Sequence, residues 1–244
     1  MPSAPQKFFL VLAALLAALL LRAPIEQVPD YNEFADTRAI LGIPNFWNQV
    51  SNAPLLAIGL LGLGLLLRCR VPGARAEWLV CFAGATLAAI GSSYYHAMPD
   101  DATLVWDRVP IGIAFAGFFC ALTAENVAAS AGRWLLLPSI AFAAGSIYWW
   151  RASGDLSPWV FAQAGPLLAV VLVFVLFPER RAERRYLGWA LACYLAAKLF
   201  ELGDREVMRW TAGLVSGHVL KHLLAAAGVF CFYAMLRRRA PRPA

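Results

Sequence analysis

Eight apolar blocks, each close to the length that crosses a hydrocarbon core of about 30 Å, dominate this sequence. A helix on the surface of a soluble domain keeps one polar face, and these blocks do not. They predict an all-α integral membrane protein. We place the spans at residues 7–22, 46–67, 77–97, 104–124, 134–150, 158–177, 186–203 and 214–236.

The composition argues against a soluble protein. The chain is 61% hydrophobic and only 15% charged, so its net charge of +6 belongs to loops and tail. Its arginines are dispersed between the spans rather than gathered on one domain, which excludes nucleic acid as a partner. The five cysteines form no CxxC pair, so we expect packing residues rather than disulfides or a thiolate metal site.

The basic residues between the spans predict an orientation. If the eight spans alternate in direction, one side of the membrane carries thirteen Lys and Arg residues and the other side five. The richer side is expected in the cytoplasm, which places both termini there, in a multi-pass protein of a bacterial inner membrane. The thirteen are Lys7, Arg68, Arg70, Arg75, Arg133, Arg180, Arg181, Arg184, Arg185, Arg237, Arg238, Arg239 and Arg242; the five are Arg22, Arg38, Arg151, Arg205 and Arg209.

The first apolar block allows two interpretations. Its run after Lys7 could be a signal peptide, but no clear small-x-small cleavage site follows it. We therefore favour a retained transmembrane helix or signal anchor over residues 1–23. An external loop, residues 24–45, would then lead into the remaining spans.

All three histidines of the chain are predicted to share one leaflet. His218 and His222 lie four residues apart, so both rings stand on one face of a helix. They open the last span, which runs inward, whereas His96 ends an outward span; all three therefore fall in the non-cytoplasmic leaflet. Three imidazoles with one open position are typical of catalytic zinc. A haem is the less favoured reading, because two rings on one helix suit a small ion better than a macrocycle.

Two further polar residues are predicted beside the histidines. Ser92 lies one helical turn before His96 on the same face, and Asp107 can fold back beside His96 across the short PDDAT loop. A buried carboxylate there could accept a proton from a water molecule. The alternatives are a serine bonded to its own helix and an Asp107–Arg108 ion pair, although adjacent helical residues point about 100° apart.

The order of several short segments adds a resemblance. FWNQVSN at 46–52, GSSYYH at 91–96, Asp107 and the histidine pair of 217–222 follow one another along the chain. Together they resemble the successive signatures of the alkaline ceramidase family. That family belongs to a superfamily of seven-helix membrane hydrolases that also includes progestin and adiponectin receptor-like proteins. The resemblance covers about residues 30–236.

The resemblance implies a fold and an activity. The fold would be a seven-helix transmembrane bundle over residues 46–236, with one extra N-terminal helix and a basic cytoplasmic tail at 237–244. His96, His218 and His222 would hold zinc, with Ser92 and Asp107 beside it. The activity would be amide hydrolysis of ceramide or a related N-acyl lipid, giving a fatty acid and a sphingoid-type amine. The expected partner is a membrane lipid, and no obligate protein partner is inferred.

The sequence also departs from the family's better-studied members. Lys221 stands between the paired histidines, where we expect an apolar residue, and Lys198, Glu201 and Asp204 follow one another at helical spacing. The simpler interpretation is a mutually neutralising network of the four residues. The sharper one is that Lys198 or Lys221 holds an anionic lipid headgroup.

Two expectations concern calcium and turnover. Some relatives bind calcium before the FWN signature, and oxygen ligands could come from Asp30, Glu33, Asp36 and Asn45, although acidic loop residues are usually just solvated. The alternative function is a non-catalytic, lipid-sensing or receptor-like zinc protein. Ser92 and Asp107 favour the hydrolase, because a purely structural zinc needs neither.

Overall fold

The structure, a computed structural model, describes residues 2–179 and 183–241. Regular structure in these residues is helical, apart from one isolated bridge between Ile40 and Ile43. The helices are α1 (Ala4–Leu21), α2 (Phe46–Val50), α3 (Ala53–Arg68), α4 (Arg75–Ala97), α5 (Asp101–Asn126), α6 (Ala129–Ser153), α7 (Ser157–Leu176), α8 (Arg184–Leu202), α9 (Asp204–Trp210) and α10 (Gly217–Arg239).

Long helices occur at all eight predicted spans. The second predicted span is divided at residues 51–52 into the short α2 and the longer α3. The last helix begins at Gly217 rather than at 214, and α9 precedes it in a segment that the sequence did not predict to be helical. The helical fold class is therefore confirmed, with boundaries shifted by a few residues.

Six helical segments are long and apolar enough to cross a membrane, which indicates an α-helical membrane protein. They are α1, α2 with α3, α4, α5, α7 and α10. Among the described residues, α6 and α8 do not reach this apolar composition. Charged residues such as Lys198 and Glu201 lower the hydropathy of α8, and Tyr148 and Trp149 lower that of α6.

The seven-helix count and the orientation remain predictions. Arg180, Arg181 and Arg242, which contribute to the charge argument, lie outside the described residues, as does the end of the predicted tail. The helix α1 does pack on the bundle: Phe8 is fully buried, with its ring near those of Phe119 and Phe177.

Glycines bring α4 and α5 into close contact. A Cβ at Gly84 would lie 2.4 Å from the backbone nitrogen of Ala114, and one at Gly117 would lie 2.4 Å from that of Cys81. Near the C-terminal end of α4, a Cβ at Gly91 would lie 1.9 Å from the Trp106 carbonyl oxygen. Small residues commonly permit such close approach between membrane helices. Here the approach places the end of α4 directly beside the start of α5.

We expect Gly91→Ala to destabilise the protein by about 1–3 kcal/mol, because the added methyl must push two helix backbones apart. Thermal unfolding of the detergent-solubilised protein measures this. Gly145→Ala is the matched control, since a Cβ there meets nothing within 4 Å. Equal unfolding temperatures for Gly91→Ala and the native chain would contradict the tight helix contact.

Candidate metal centre

The three histidines come from helix ends that meet at one end of the bundle. His96 lies in the last turn of α4, and His218 and His222 lie in the first turns of α10. The start of α10 is fixed by its N-cap, since the Ser216 hydroxyl accepts a hydrogen bond from the Val219 N–H at 3.2 Å. A carboxylate oxygen of Asp204 accepts from the His218 N–H at 2.7 Å. These caps orient both histidines of α10 toward the end of α4.

The imidazole nitrogens converge. One ligand atom from each histidine lies within 4.8 Å of the others, and Nε2 of His96 is 3.2 Å from Nε2 of His218. All three side chains are buried. Elsewhere in the described chain, no other group of three or more His, Cys, Asp or Glu side chains converges in this way. The predicted meeting of the three histidines is confirmed.

The donor set fits a zinc ion. Zn–N bonds of about 2.0–2.1 Å in a tetrahedral site place two ligand nitrogens about 3.3 Å apart, close to the observed 3.2 Å. An N–H···N hydrogen bond would give the same single distance. The stronger argument is the complete set of three buried imidazoles around one point.

The break between α2 and α3 positions His222. The Ser51 hydroxyl lies 2.8 Å from Nδ1 of His222, which leaves Nε2 of that ring for an ion. Ser51 and Asn52 both donate to the Asn48 carbonyl, and Asn48 itself donates to the Asp36 carbonyl at 3.0 Å. Partners of this kind fix the tautomer and orientation of a metal ligand. Sequence reasoning quoted this segment as a signature but assigned Ser51 no role.

The external loop, residues 24–45, covers the histidines. The Phe34 ring centroid lies 4.6 Å from that of His96 and 4.7 Å from that of His218. The loop is tied down by Tyr95, whose hydroxyl donates to Asn32, and by Asp204, which accepts from the Ala35 N–H. An aromatic ring over the imidazoles shields them from water. Nothing in the sequence distinguished Phe34 from the chain's other fourteen phenylalanines.

Ser92 and Asp107 lie together beside the histidines, as predicted. Both side chains are buried, and the Ser92 hydroxyl lies beside the Asp107 carboxylate. They line the same cavity as His222, which has a volume of about 200 Å³. Asp107 forms no ion pair with Arg108, in agreement with the helical-geometry argument.

The remainder of the cavity wall is largely apolar. Phe115 and Phe118 line it. Phe119 instead packs against Phe8, and Trp189 is 66% exposed on the bundle surface. The cavity thus joins a polar end at His222, one of the three histidines, to an apolar interior between the helices.

The predicted charge network is correct for three residues and wrong for the fourth. Glu201 pairs with Lys198 at 2.7 Å through one oxygen and with Lys221 at 2.5 Å through the other. Asp204 is not part of it, because α9 starts at that residue and turns it away from the axis of α8. Its oxygens instead accept from the Ala35 and His218 N–H groups.

The four calcium candidates do not form a cluster. Asp30 and Glu33 are exposed and lie 3.9 and 3.0 Å from Arg205. Asp36 is buried against Arg38 at 2.6 Å, and the Asn45 side chain donates to the His96 carbonyl. The first three are absent from the groups that could hold an ion in the described residues. Arginines and backbone groups take the place that a calcium ion would need.

Comparison with known proteins gives a family without an assigned function. Residues 54–241 match a protein family described as a family of unknown function (DUF6962). The chain belongs to this family. A search of curated proteins finds no match. The matched region contains all three histidines together with Ser92 and Asp107.

We expect this DUF6962 protein, purified and dialysed against zinc, to retain zinc stoichiometrically. His96→Gln, His218→Gln and His222→Gln should each abolish retention, because each removes one of three converging ligands. Ser51→Ala should weaken zinc affinity by about 10–100-fold, since it frees the His222 ring. Metal analysis and competition with a chelator provide the measurements.

Ser146→Ala is the control for the serine variant, because Ser146 is equally buried but bonds only to the Ala143 carbonyl of its own helix. Full zinc retention in any two of the histidine variants would contradict the site. Equal affinities of Ser51→Ala and Ser146→Ala would contradict the positioning role of Ser51.

The ionisation of Asp36 should make the stability of the protein depend on pH. Burial opposes its ionisation, but hydrogen bonds from the Arg38 side chain and backbone outweigh burial and hold the pKa of this carboxyl below its ordinary value of 3.8. A lowered folded-state pKa stabilises the protein at pH values above the ordinary pKa, and this contribution disappears as pH falls through the lowered one.

We therefore expect the native chain to lose stability relative to Asp36→Asn as the pH falls below about 4, measured by thermal unfolding in detergent. Asp30→Asn serves as the control, since Asp30 is exposed. A constant difference between native and Asp36→Asn across this range would contradict the assignment.

Proposed function

We propose that the protein is a zinc-dependent intramembrane amide hydrolase that acts on ceramide or a related N-acyl lipid. The carrying observation is the combination of three converging histidines with the Ser92–Asp107 pair at the polar end of an apolar cavity. A purely structural ion would need the histidines alone. The resemblance of the FWNQVSN, GSSYYH and histidine-pair segments to alkaline ceramidases supports the substrate class.

The membrane arrangement that we propose is a bundle of seven helices with α1 outside them, and helices α3, α4, α5, α7, α8 and α10 of this bundle line the cavity. The charges that lower the hydropathy of α8 support its inclusion, because Lys198 and Glu201 line the cavity and Glu201 pairs with both Lys198 and Lys221. Charged residues within membrane helices characteristically face a protein interior. With both termini cytoplasmic, the histidine end lies toward the non-cytoplasmic leaflet.

His96, His218 and His222 would hold a zinc ion, which acts as a Lewis acid on the amide carbonyl and makes water a nucleophile near neutral pH. The apolar cavity wall, including Phe115 and Phe118, would hold the acyl chain. It also keeps bulk water away from the reacting amide, which strengthens the electrostatic interactions there.

Asp107 would transfer the protons. It accepts one from the attacking water and donates it to the leaving nitrogen as the C–N bond breaks, so that amide and water give a carboxylic acid and an amine. Ser92 would change its hydrogen bond in step with this transfer. Once Asp107 is protonated it can donate to Ser92, and the serine hydroxyl is then free to donate to the developing oxyanion.

Asp107→Asn should reduce hydrolysis of N-acyl lipids by at least about 100-fold while zinc content stays unchanged, because proton transfer is lost but the ligands remain. Ser92→Ala should reduce it less. Released fatty acid, quantified by mass spectrometry on the detergent-solubilised protein, provides the measurement.

Glu206→Gln is the matched control, since Glu206 pairs with Arg209 on the surface, far from the cavity lining. Full activity of Asp107→Asn would sink the proton-transfer assignment. If the native, zinc-loaded chain released no product from a panel of N-acyl lipids yet bound them, the lipid-sensing alternative would replace the hydrolase.

A further inference from the structure

Arg108 is a buried cation that forms no ion pair within 4.0 Å in the described residues, although the adjacent Asp107 carboxylate still attracts it at longer range. Its side chain is 3% exposed, and it follows Asp107 directly on α5. Only one of its nitrogens has a hydrogen-bond partner in the described protein: Nη2 donates to the Gln27 side-chain oxygen at 2.7 Å. The buried Nε and Nη1 have none. A buried guanidinium normally pairs with a carboxylate or phosphate, because its desolvation is otherwise costly.

Aromatic rings hold this guanidinium in place. Its central carbon lies 4.3 Å from the Trp150 ring centroid and 4.9 Å from that of Tyr31. Cation–π contacts of this kind fix the plane of an arginine and leave its N–H groups at the edge free. The guanidinium plane is therefore held in one orientation, in which a bound anion could accept its hydrogen bonds.

The Arg108 side chain belongs to the wall of the cavity that His222 lines. Arg108 lines it together with Asp107, Ser92 and His222. The two lysines on the same wall each have a carboxylate partner, since Lys198 and Lys221 share Glu201, although its single negative charge balances only one of them. The described part of the cavity wall thus has one cation whose charge no carboxylate within 4.0 Å balances.

We propose that Arg108 binds an anionic group of the substrate, so that the enzyme acts on N-acyl lipids with a carboxylate or phosphate near the amide rather than on neutral ceramide. This proposal rests on the proposed function, because the bound lipid is a substrate only if the protein hydrolyses it. It replaces the lysines, which the sequence suggested for this role, with the residue whose donors are unused.

The position of Arg108 along α5 fits this role. Adjacent helical residues lie about 1.5 Å apart along the helix axis and point about 100° apart. Asp107 and Arg108 therefore reach different parts of the cavity that both of them line. Asp107 would act on the amide, and Arg108 would hold an anion a few bonds away on the amine side. The unpartnered Nε and Nη1 lie on different edges of the guanidinium, and each can donate to an anionic oxygen of the kind that carboxylates and phosphates offer.

The test measures lipid binding to the full-length, detergent-solubilised protein, so that it does not depend on turnover. Two matched pairs serve as probes: N-palmitoylglycine with N-palmitoylglycinamide, and ceramide 1-phosphate with ceramide. We expect the native chain to bind one anionic member at least about tenfold more tightly than its neutral partner. Arg108→Gln should remove this preference, and Arg108→Lys should retain part of it.

Arg151→Gln is the matched control, because Arg151 also stacks on the Trp150 ring but lies half-exposed outside the cavity lining, near Asp101. It should keep the native preference. Discrimination within the glycine pair identifies a carboxylate, and discrimination within the ceramide pair identifies a phosphate. Arg108→Lys covers the case in which Arg108→Gln does not fold.

Equal binding within both pairs would overturn the proposal, and so would a preference that survives in Arg108→Gln. Either outcome leaves the proposed function intact if neutral ceramide is hydrolysed. Conversely, an Arg108-dependent preference without hydrolysis of any probe would overturn the hydrolase and keep the anion subsite.

Discussion

The close approach of α4 and α5 is the constraint on which the site depends. Because Gly91 has no side chain, the last turns of α4 contact the first turns of α5 backbone to backbone, at Trp106. This contact brings Ser92 beside Asp107, and it holds His96 at the end where α10 begins. A bulkier residue at that crossing would separate Ser92 and Asp107 from the histidines. The arrangement of the site therefore depends on a packing feature rather than on a reactive group.

A second constraint is the partnering of charge in an apolar interior. An ionisable side chain in a membrane helix costs roughly 2.5–3.5 kcal/mol on insertion scales, so each one needs a reason to be there. Glu201 pairs with both Lys198 and Lys221, and Asp204 accepts hydrogen bonds from two backbone N–H groups instead of joining this ion-pair network. At the same end of the described bundle, the three imidazoles and Arg108 have no carboxylate partner of this kind. A bound ligand could interact with these groups.

Much of this could be predicted from the sequence, for identifiable reasons. Helix positions follow from apolar length, and the meeting of His96 with His218 and His222 follows from counting spans of alternating direction. What failed depended on geometry that no periodicity records. A turn after Leu202 redirects Asp204, and the break at residues 51–52 brings Ser51 to His222. Phe34 reaches the histidines through an irregular loop, and loops carry no repeating pattern from which its position could be read.

The external loop has a consequence for how any lipid would be supplied. Tied at Asn32, Ala35 and Asn45, and carrying Phe34 over the imidazoles, it covers the histidine end of the bundle. With this end at a membrane surface, as we propose, a ligand with a long hydrocarbon tail would arrive sideways, by diffusion within its leaflet. Saturation of such a protein is governed by the mole fraction of ligand among its neighbouring lipids, and bulk concentration becomes a poor guide to occupancy.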